Sequence, residues 1–270
     1  MISLFLAALM ATNPSPIARI VTPEQSLPAP APLEAISGTP LPITVYLRGE
    51  RDFALSYDLY EVSMASAKAD DEVTAALARN QPMTTDSAQD GEMGFAATLD
   101  LPKSSATHRY LLRLAVTHAD QTTTSNIDLF AYPSDLPDQL REAVRNFQER
   151  SGSSLGVFGP GRTVRALLNA WHIPYRDYDP YGTRLSAVIG DFINYPLDAD
   201  RLPVGSADNV LFLTMTPQAG HTTDLIEILP NHDGKTVYAS AQGFNQLAVS
   251  PAAQYQFFTL LTRILATPNS

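Results

Sequence analysis

Between Pro42 and Pro133 apolar and polar residues alternate with a period of two. Ile43, Val45 and Leu47 alternate with Thr44, Tyr46 and Arg48. Phe53, Leu55, Tyr57 and Leu59 form a second such run, and Phe95, Ala97, Leu99 and Leu101 a third, stopped by Pro102. Tyr110, Leu112, Leu114 and Val116 follow, then Ile127, Leu129 and Ala131 before Pro133. A residue spacing of two puts alternate side chains on one face, so each run predicts a half-buried strand with one wet face. Upstream, Ile17–Val21 predicts a short edge strand. Asp70–Arg79, in a loop of Ala, Asp, Ser and Gln between the second and third of these runs, predicts one or two helical turns.

After Pro133 the pattern changes. Ser134 and Asp135 have the chemistry of a helix cap, and Leu136, Leu140, Val144 and Phe147 share one helical face. Ser151-Gly152-Ser153 ends that helix. Leu155–Phe158 is a short apolar run without alternation, as expected of a strand covered on both sides. Arg162–His172 predicts a helix with Val164, Leu167, Leu168 and Trp171 inward. Tyr175–Tyr178, Leu185–Ile189 and Val210–Met215 predict three further strands. Asp224–Glu227 has capping-box spacing and predicts a short helix. A turn at Asn231–Gly234 leads into a strand at Thr236–Ser240, and Ala252–Ala266 closes the chain as a helix with Phe257, Leu260, Leu261, Ile264 and Leu265 inward.

Strands clustered in one half and alternating with helices in the other predict two domains. An all-β, immunoglobulin-like β-sandwich at 33–133 is followed, at 134–270, by an α/β domain with a doubly wound parallel sheet. Residues 1–32 form an apolar N-terminal segment and a Pro-rich linker. Pro14, Pro16, Pro23, Pro28, Pro30, Pro32, Pro40 and Pro42 keep that region extended, as a linker or as a strand-like run along a domain surface. Ile2–Ala11 has the length of a signal-peptide core, without a preceding Lys or Arg and with a large residue at the cleavage position. The other reading is an amphipathic helix packed on a neighbouring domain. If residues 1–11 act as a signal, the chain is extracytoplasmic.

Composition narrows the chemistry. The chain of 270 residues carries 18 Lys+Arg against 28 Asp+Glu, a formal charge of −10. With no basic run it is poorly suited to a phosphate backbone, so no nucleic-acid partner is expected. The absence of cysteine excludes a disulfide framework, a thiolate zinc site and a cysteine nucleophile. No apolar run has the roughly 18 residues of a membrane span.

In a doubly wound sheet, ligands sit beyond the carboxyl ends of the strands. The first such loop, Gly159-Pro160-Gly161-Arg162-Thr163, joins a tight turn, a helix N-terminus and an arginine, a combination suited to an anion. It lacks the P-loop lysine and the full dinucleotide fingerprint, so an ordinary strand–helix turn explains it as well. Topology adds Asp179, Asp191, Asn194, Thr216 and His221 at other strand ends. The ligand-binding candidates are thus Gly159, Gly161, Arg162, Asp191, Thr216 and His221. Asp177–Gly182 opens like a calcium loop, but Tyr181 and Val188 occupy positions that need oxygen ligands. No two of the five histidines have metal-ligand spacing, and no G-x-S-x-G elbow is present. No metal, cofactor or catalytic residue is assigned. Tyr46, Tyr57, Tyr60, Phe130 and Tyr132 are candidates for an aromatic sugar-stacking surface, or simply for packing.

The runs at Leu99–Pro102, Tyr110–Leu114 and Ser125–Pro133 resemble the immunoglobulin-like domains that follow the catalytic barrel in bacterial glycoside hydrolase family 2 proteins, the β-galactosidase-like and β-mannosidase-like group. The segment Asp233–Ser240, with Pro251 and the helix through Leu261, resembles the class I glutamine-amidotransferase-like (flavodoxin-like) domain appended to some of them. The barrel with its catalytic carboxylates has no counterpart here, and the amidotransferase cysteine is absent. The resemblance therefore implies a non-catalytic accessory module of a glycoside hydrolase, bracing or shaping the cleft of a barrel. Its expected partner is a catalytic glycosidase domain or chain, and carbohydrate is a second candidate ligand. Two other readings stay open: an exported carbohydrate-binding protein acting alone, and a small-molecule hydrolase with its site at the α/β sheet edge.

Overall fold

The computed structural model describes residues 17–23, 26–28, 31–48, 52–64, 73–89, 91–158, 162–179, 185–192, 207–214, 227–232, 235–243 and 247–266. It is rich in β-structure. Ten strands precede the first helix: β1 (Ile17–Val21), β2 (Ser26–Pro28), β3 (Leu33–Ile36), β4 (Leu41–Arg48), β5 (Ala54–Val62), β6 (Val73–Pro82), β7 (Thr84–Gln89), β8 (Glu92–Leu99), β9 (His108–His118) and β10 (Gln121–Tyr132). They form two five-stranded sheets with orders β2-β1-β4-β8-β7 and β3-β10-β9-β5-β6. Then come α1 (Leu136–Ser151), β11 (Leu155–Phe158), α2 (Arg162–Ala170), β12 (Arg176–Asp177), β13 (Leu185–Phe192), β14 (Ala207–Thr214), β15 (Glu227–His232), β16 (Lys235–Gly243) and α3 (Pro251–Ala266). Their six-stranded sheet has the order β12-β11-β13-β14-β16-β15. Every pair in it is parallel except the β15–β16 hairpin. Among the described residues, no helix is long and apolar enough to cross a membrane.

The chain divides into two compact units. The first holds the described residues up to Leu33, with Pro40–Leu99 and Arg109–Leu129. The second holds Glu34–Thr39, Asp100–His108 and the described residues from Phe130 onward.

In the first unit the alternation works as the sequence pattern requires. Leu41, Ile43, Val45 and Leu47 of β4, Leu55, Tyr57 and Leu59 of β5, and Leu112 and Leu114 of β9 are all buried. Tyr57 of β5 donates its hydroxyl across the core to the Thr98 carbonyl of β8 at 3.4 Å. β9 and β10 are joined through Ala119 and Asp120, both at positive φ (45° and 63°), the backbone of a tight two-residue hairpin turn.

Three expectations are corrected here. Ile17–Val21 is a strand but not an edge, because the short β2 covers its outer side and β4 its inner one. Residues from Val73 onward in the segment expected to turn helically form β6, paired with β5. Its Ala-rich composition favours a helix in isolation, but a sheet edge is open beside it, and tertiary pairing overrides a propensity worth tenths of a kcal/mol per residue. Three register shifts along β6 show how imperfectly such a sequence fits a ladder. β7, read as loop, is the opposite edge of the first sheet. Of the two readings of the Pro-rich stretch, its described part is strand-like: β1, β2 and β3 fall within it.

In the second unit α1 buries Leu136, Leu140, Val144 and Phe147, the expected stripe. Asp135 is its N-cap residue but makes no side-chain cap bond, contrary to the expected cap, and Pro137 removes one of the N–H groups that would need it. Gly152, at φ 63°, ends the helix with its N–H on the Gln148 carbonyl. α2 stops at Ala170, short of the expected His172, because His172 turns the chain at φ 55°. Trp171 is accordingly only partly buried. Where Asp224–Glu227 predicts a helix, Glu227–His232 is strand β15, while 224–226 lie outside the described residues. The apolar run Ile228-Leu229 suits a sheet edge, and its hairpin with β16 decides between the two.

A core of Leu140, Val144 and Phe147 from α1, Val164 and Leu168 from α2, and Phe257, Leu260, Leu261 and Ile264 from α3 packs on Leu155, Val157, Ala187 and Ile189 of the sheet. The start of α3 is capped twice. Ser250 Oγ accepts the Ala253 N–H at 3.1 Å, and Glu34 Oε2 accepts both the Ser250 hydroxyl at 2.7 Å and the Ala252 N–H at 3.2 Å.

Candidate functional site

Sheet order locates the expected site. From β11 the chain steps outward to β12, then returns past β11 to β13, so the order reverses between β11 and β13. The carboxyl ends of those two strands flank the crevice in which open α/β sheets hold ligands. They end at Phe158 and Phe192.

Of the six candidates, two lie within the described residues. Arg162 is the first residue of α2 and is exposed; Asp191 is on β13, its backbone opposite Leu213 of β14. Gly159, Gly161, Thr216 and His221 lie outside the described residues, as does Asn194. Asp179 follows β12 and is exposed.

The arginine that the structure fixes at this end is one the sequence reading passed over. Arg165, one turn into α2, donates from Nη2 at 2.8 Å and Nε at 3.1 Å to Asp177 Oδ1 at the end of β12, and from Nη2 at 3.4 Å to the Val157 carbonyl of β11. It clamps the first crossover, and a carboxylate matches its charge. Beside it Tyr178 continues the ladder by donating its N–H to Val157 at 2.9 Å. Its ring meets Phe158 edge-on at 6.2 Å.

Three of the five aromatics lie in the first unit. Tyr57 points into the first unit's core. Tyr46 lies in the other sheet, with the Arg19 guanidinium 3.8 Å over its ring. Tyr60 has Arg113 over its ring at 5.4 Å and donates its hydroxyl to Asp58 Oδ2 at 3.1 Å. A ring face occupied by an arginine stacks on that cation, not on a sugar. Phe130 and Tyr132 belong to the second unit.

Electrostatics set two of these neighbourhoods apart. A hydrogen bond from Arg19, aided by Arg48, holds the Glu92 carboxyl below its usual range. Tyr132, whose ring lies 5.4 Å from that of Tyr255, has its hydroxyl pushed up to about 12 by burial, with the charge of Glu34 adding to the effect. The folded unit therefore holds this proton more tightly than the unfolded chain does. Below the ordinary tyrosine value both states keep the proton and nothing changes. As pH rises from about 10 toward about 12 the unfolded state loses it first, and stability falls. The expected result is a downward slope of stability in denaturant titrations across that window, flattened in Tyr132→Phe; equal slopes in both proteins would contradict it.

A groove of about 440 Å³ runs between the carboxyl-terminal turns of α1 and α3, lined by Asn146, Glu149, Arg150 and Thr262 among others. Arg150 there donates to the Leu265 carbonyl at 2.8 Å, closing one helix end with the other's side chain.

The structure also brings together a serine and a histidine that no motif announced. Ser104 Oγ lies 2.8 Å from His108 Nε2 in the β8–β9 connection. His108 opens β9, and the sequence offers no reason to link it to a serine four residues earlier.

No family model matches the chain, and no curated protein sequence matches it. Among solved structures it has a TM-score of 0.23 and 10% identity to a family 123 glycoside hydrolase from Clostridium perfringens, covering 59% of this chain and 33% of that one. It has a TM-score of 0.26 and 12% identity to Astrotactin-2, a vertebrate perforin-like membrane protein, covering 62% and 32%. For a sialyltransferase from Photobacterium damsela the values are 0.23 and 10%, covering 67% and 41%. The chain thus spans about a third of the length of the first two, and likenesses this slight carry no functional argument.

Proposed function

We propose that the chain is a non-catalytic accessory module of a glycoside hydrolase, one that braces or shapes the substrate cleft of a catalytic barrel on another domain or chain. The observation that carries this reading is the succession of two strand orders. β1-β4-β8-β7 against β10-β9-β5-β6 follows the ABED and GFCC′ arrangement of an immunoglobulin-like sandwich, with β3 added beside β10. Downstream, β12-β11-β13-β14-β16 follows the 2-1-3-4-5 order of a flavodoxin-like doubly wound sheet, with β15 as an antiparallel addition at the edge. That succession supports the resemblance drawn from the sequence, in which the same two domain types follow a glycosidase barrel. The step from fold to role is one of analogy.

The purified chain should turn over no member of a panel of chromogenic glycosides. Mixed with a barrel-bearing glycosidase encoded beside it, it should form a stoichiometric complex by light scattering and alter that enzyme's KM. Turnover by the chain alone would overturn the non-catalytic role, and a barrel enzyme that neither binds it nor changes in KM would overturn the accessory one.

A further inference from the structure

Ser104 is held in place from both sides of its peptide. Its N–H donates to Ser37 Oγ at 3.1 Å, and the Ser37 hydroxyl donates to the Ser104 carbonyl at 2.9 Å. Ser37 itself is fully buried, so the anchor is fixed. Gly38, next to it, is at φ 73° and donates its N–H to the Leu101 carbonyl at 3.1 Å, closing the base of the same loop. The Ser104 side-chain oxygen accepts the Ala106 N–H at 3.0 Å and lies 2.8 Å from His108 Nε2. A hydroxyl that already accepts one N–H can still give its single proton, and the His108 tautomer that carries its proton on Nδ1 can take it at Nε2. Both side chains are half-buried, within reach of a small molecule.

The pair supplies one part an activated nucleophile needs, a base within 2.6–3.2 Å of the hydroxyl, and the Ala106 N–H on the same oxygen helps to fix the direction in which that hydroxyl gives its proton. We infer that Ser104 and His108 form a reactive serine–histidine pair that takes an acyl group from small, activated carboxylic esters. Ser104 Oγ attacks the ester carbonyl carbon as its proton passes to Nε2. The carbon–oxygen bond to the leaving alcohol then breaks, and the departing oxygen takes the proton back from Nε2. The products are an acylated Ser104, a free alcohol and a neutral imidazole; attack by water repeats the sequence and releases the carboxylic acid. This chemistry is acyl transfer from esters, outside the glycoside cleavage that the accessory reading denies to this chain, so "non-catalytic" there means non-catalytic toward glycosides and the two readings fail separately.

The full chain is treated with 4-nitrophenyl acetate and, separately, with a fluorophosphonate probe, and adducts are located by peptide mass spectrometry. One adduct is expected, on Ser104. It should vanish in Ser104→Ala and persist in Ser105→Ala, which removes the exposed neighbouring hydroxyl. His108→Gln keeps a polar side chain but not the base, and should slow labelling about 100-fold. A hydroxyl with a purely structural role would label no faster than Ser105, and at the same rate in His108→Gln. Either result overturns the inference, and both are read without relying on Ser104→Ala folding.

Discussion

Phe257→Ala is expected to lower the unfolding free energy of the second unit by about 4 kcal/mol. Phe257 is 2% exposed and sits on the inward face of α3, among side chains of α1, β11 and β13. Removing a ring there loses its transfer free energy and leaves a cavity bounded by two helices and a sheet, which can collapse only in part. The chain supplies its own reporter. Trp171 is the single tryptophan and packs against this cluster, so its fluorescence follows the unfolding of this unit. The denaturant midpoint of that signal should fall while its slope holds. Phe258, the next residue on the same helix, only flanks the cluster and provides the comparison: Phe258→Ala should cost clearly less. Equal losses, or a loss below about 1 kcal/mol at Phe257, would mean that α3 does not seat on the sheet as described.

The same helix shows what made parts of this fold legible. Phe257, Leu260, Leu261, Ile264 and Leu265 repeat at helical spacing, and burial follows that spacing residue for residue. α1 is the same case. The strands of β4, β5, β9 and β10 were equally plain, because one face is dry and the other wet. Legibility failed where pattern and environment disagree. β6 reads V-T-A-A-L-A-R, with little alternation, because most of it is exposed and its ladder slips three times; only its position beside β5 makes it a strand. β7 and β15 are edges too, each paired along one side only. The N-cap at Asp135 failed for another reason: residue type allows a cap, but its backbone (φ −100°, ψ 10°) lies outside the extended conformation of a capping residue.

The site was legible only as topology. Alternating strands and helices directed attention to the carboxyl ends of β11 and β13, and the sheet order puts the chain reversal there. Sequence singled out Arg162 because it follows two glycines. The structure instead ties down Arg165, whose partner Asp177 is twelve residues away and whose second acceptor is a strand carbonyl. Neither distance is encoded in a local motif. Ser104 and His108 are four apart in sequence, but a spacing of four means proximity only in a helix; in a loop, Ser37 and the ladder of β9 must bring them together. Side-chain pairs of this sort escape motif reading because the fold, not the spacing, sets their geometry.

Gly156→Val should destabilise the second unit by about 3 kcal/mol, although β-branched residues ordinarily suit buried parallel strands. Gly156 is central in β11, flanked by Arg176 of β12 and Val188 of β13. A Cβ at this position would lie 2.6 Å from Leu185 Cδ1, 3.1 Å from Val188 Cγ2 and 3.2 Å from Tyr178 Cβ. The three contacts differ in how they can yield. The Leu185 methyl is the end of a rotatable side chain, so Gly156→Ala should cost only about 1 kcal/mol, and less again when combined with Leu185→Ala, a favourable coupling between substitutions that each destabilise alone. Valine adds two methyl groups that must also pass Tyr178, whose backbone N–H is held by Val157. The strain would therefore fall on the junction of β11 and β12, the same end of the sheet that carries Arg165 and Asp177. Trp171 fluorescence reads the loss of stability. A neutral or stabilising Gly156→Val would mean that β-propensity outweighs the crowding, and that the approach of Tyr178 and Leu185 to this strand is looser than 3 Å contacts imply.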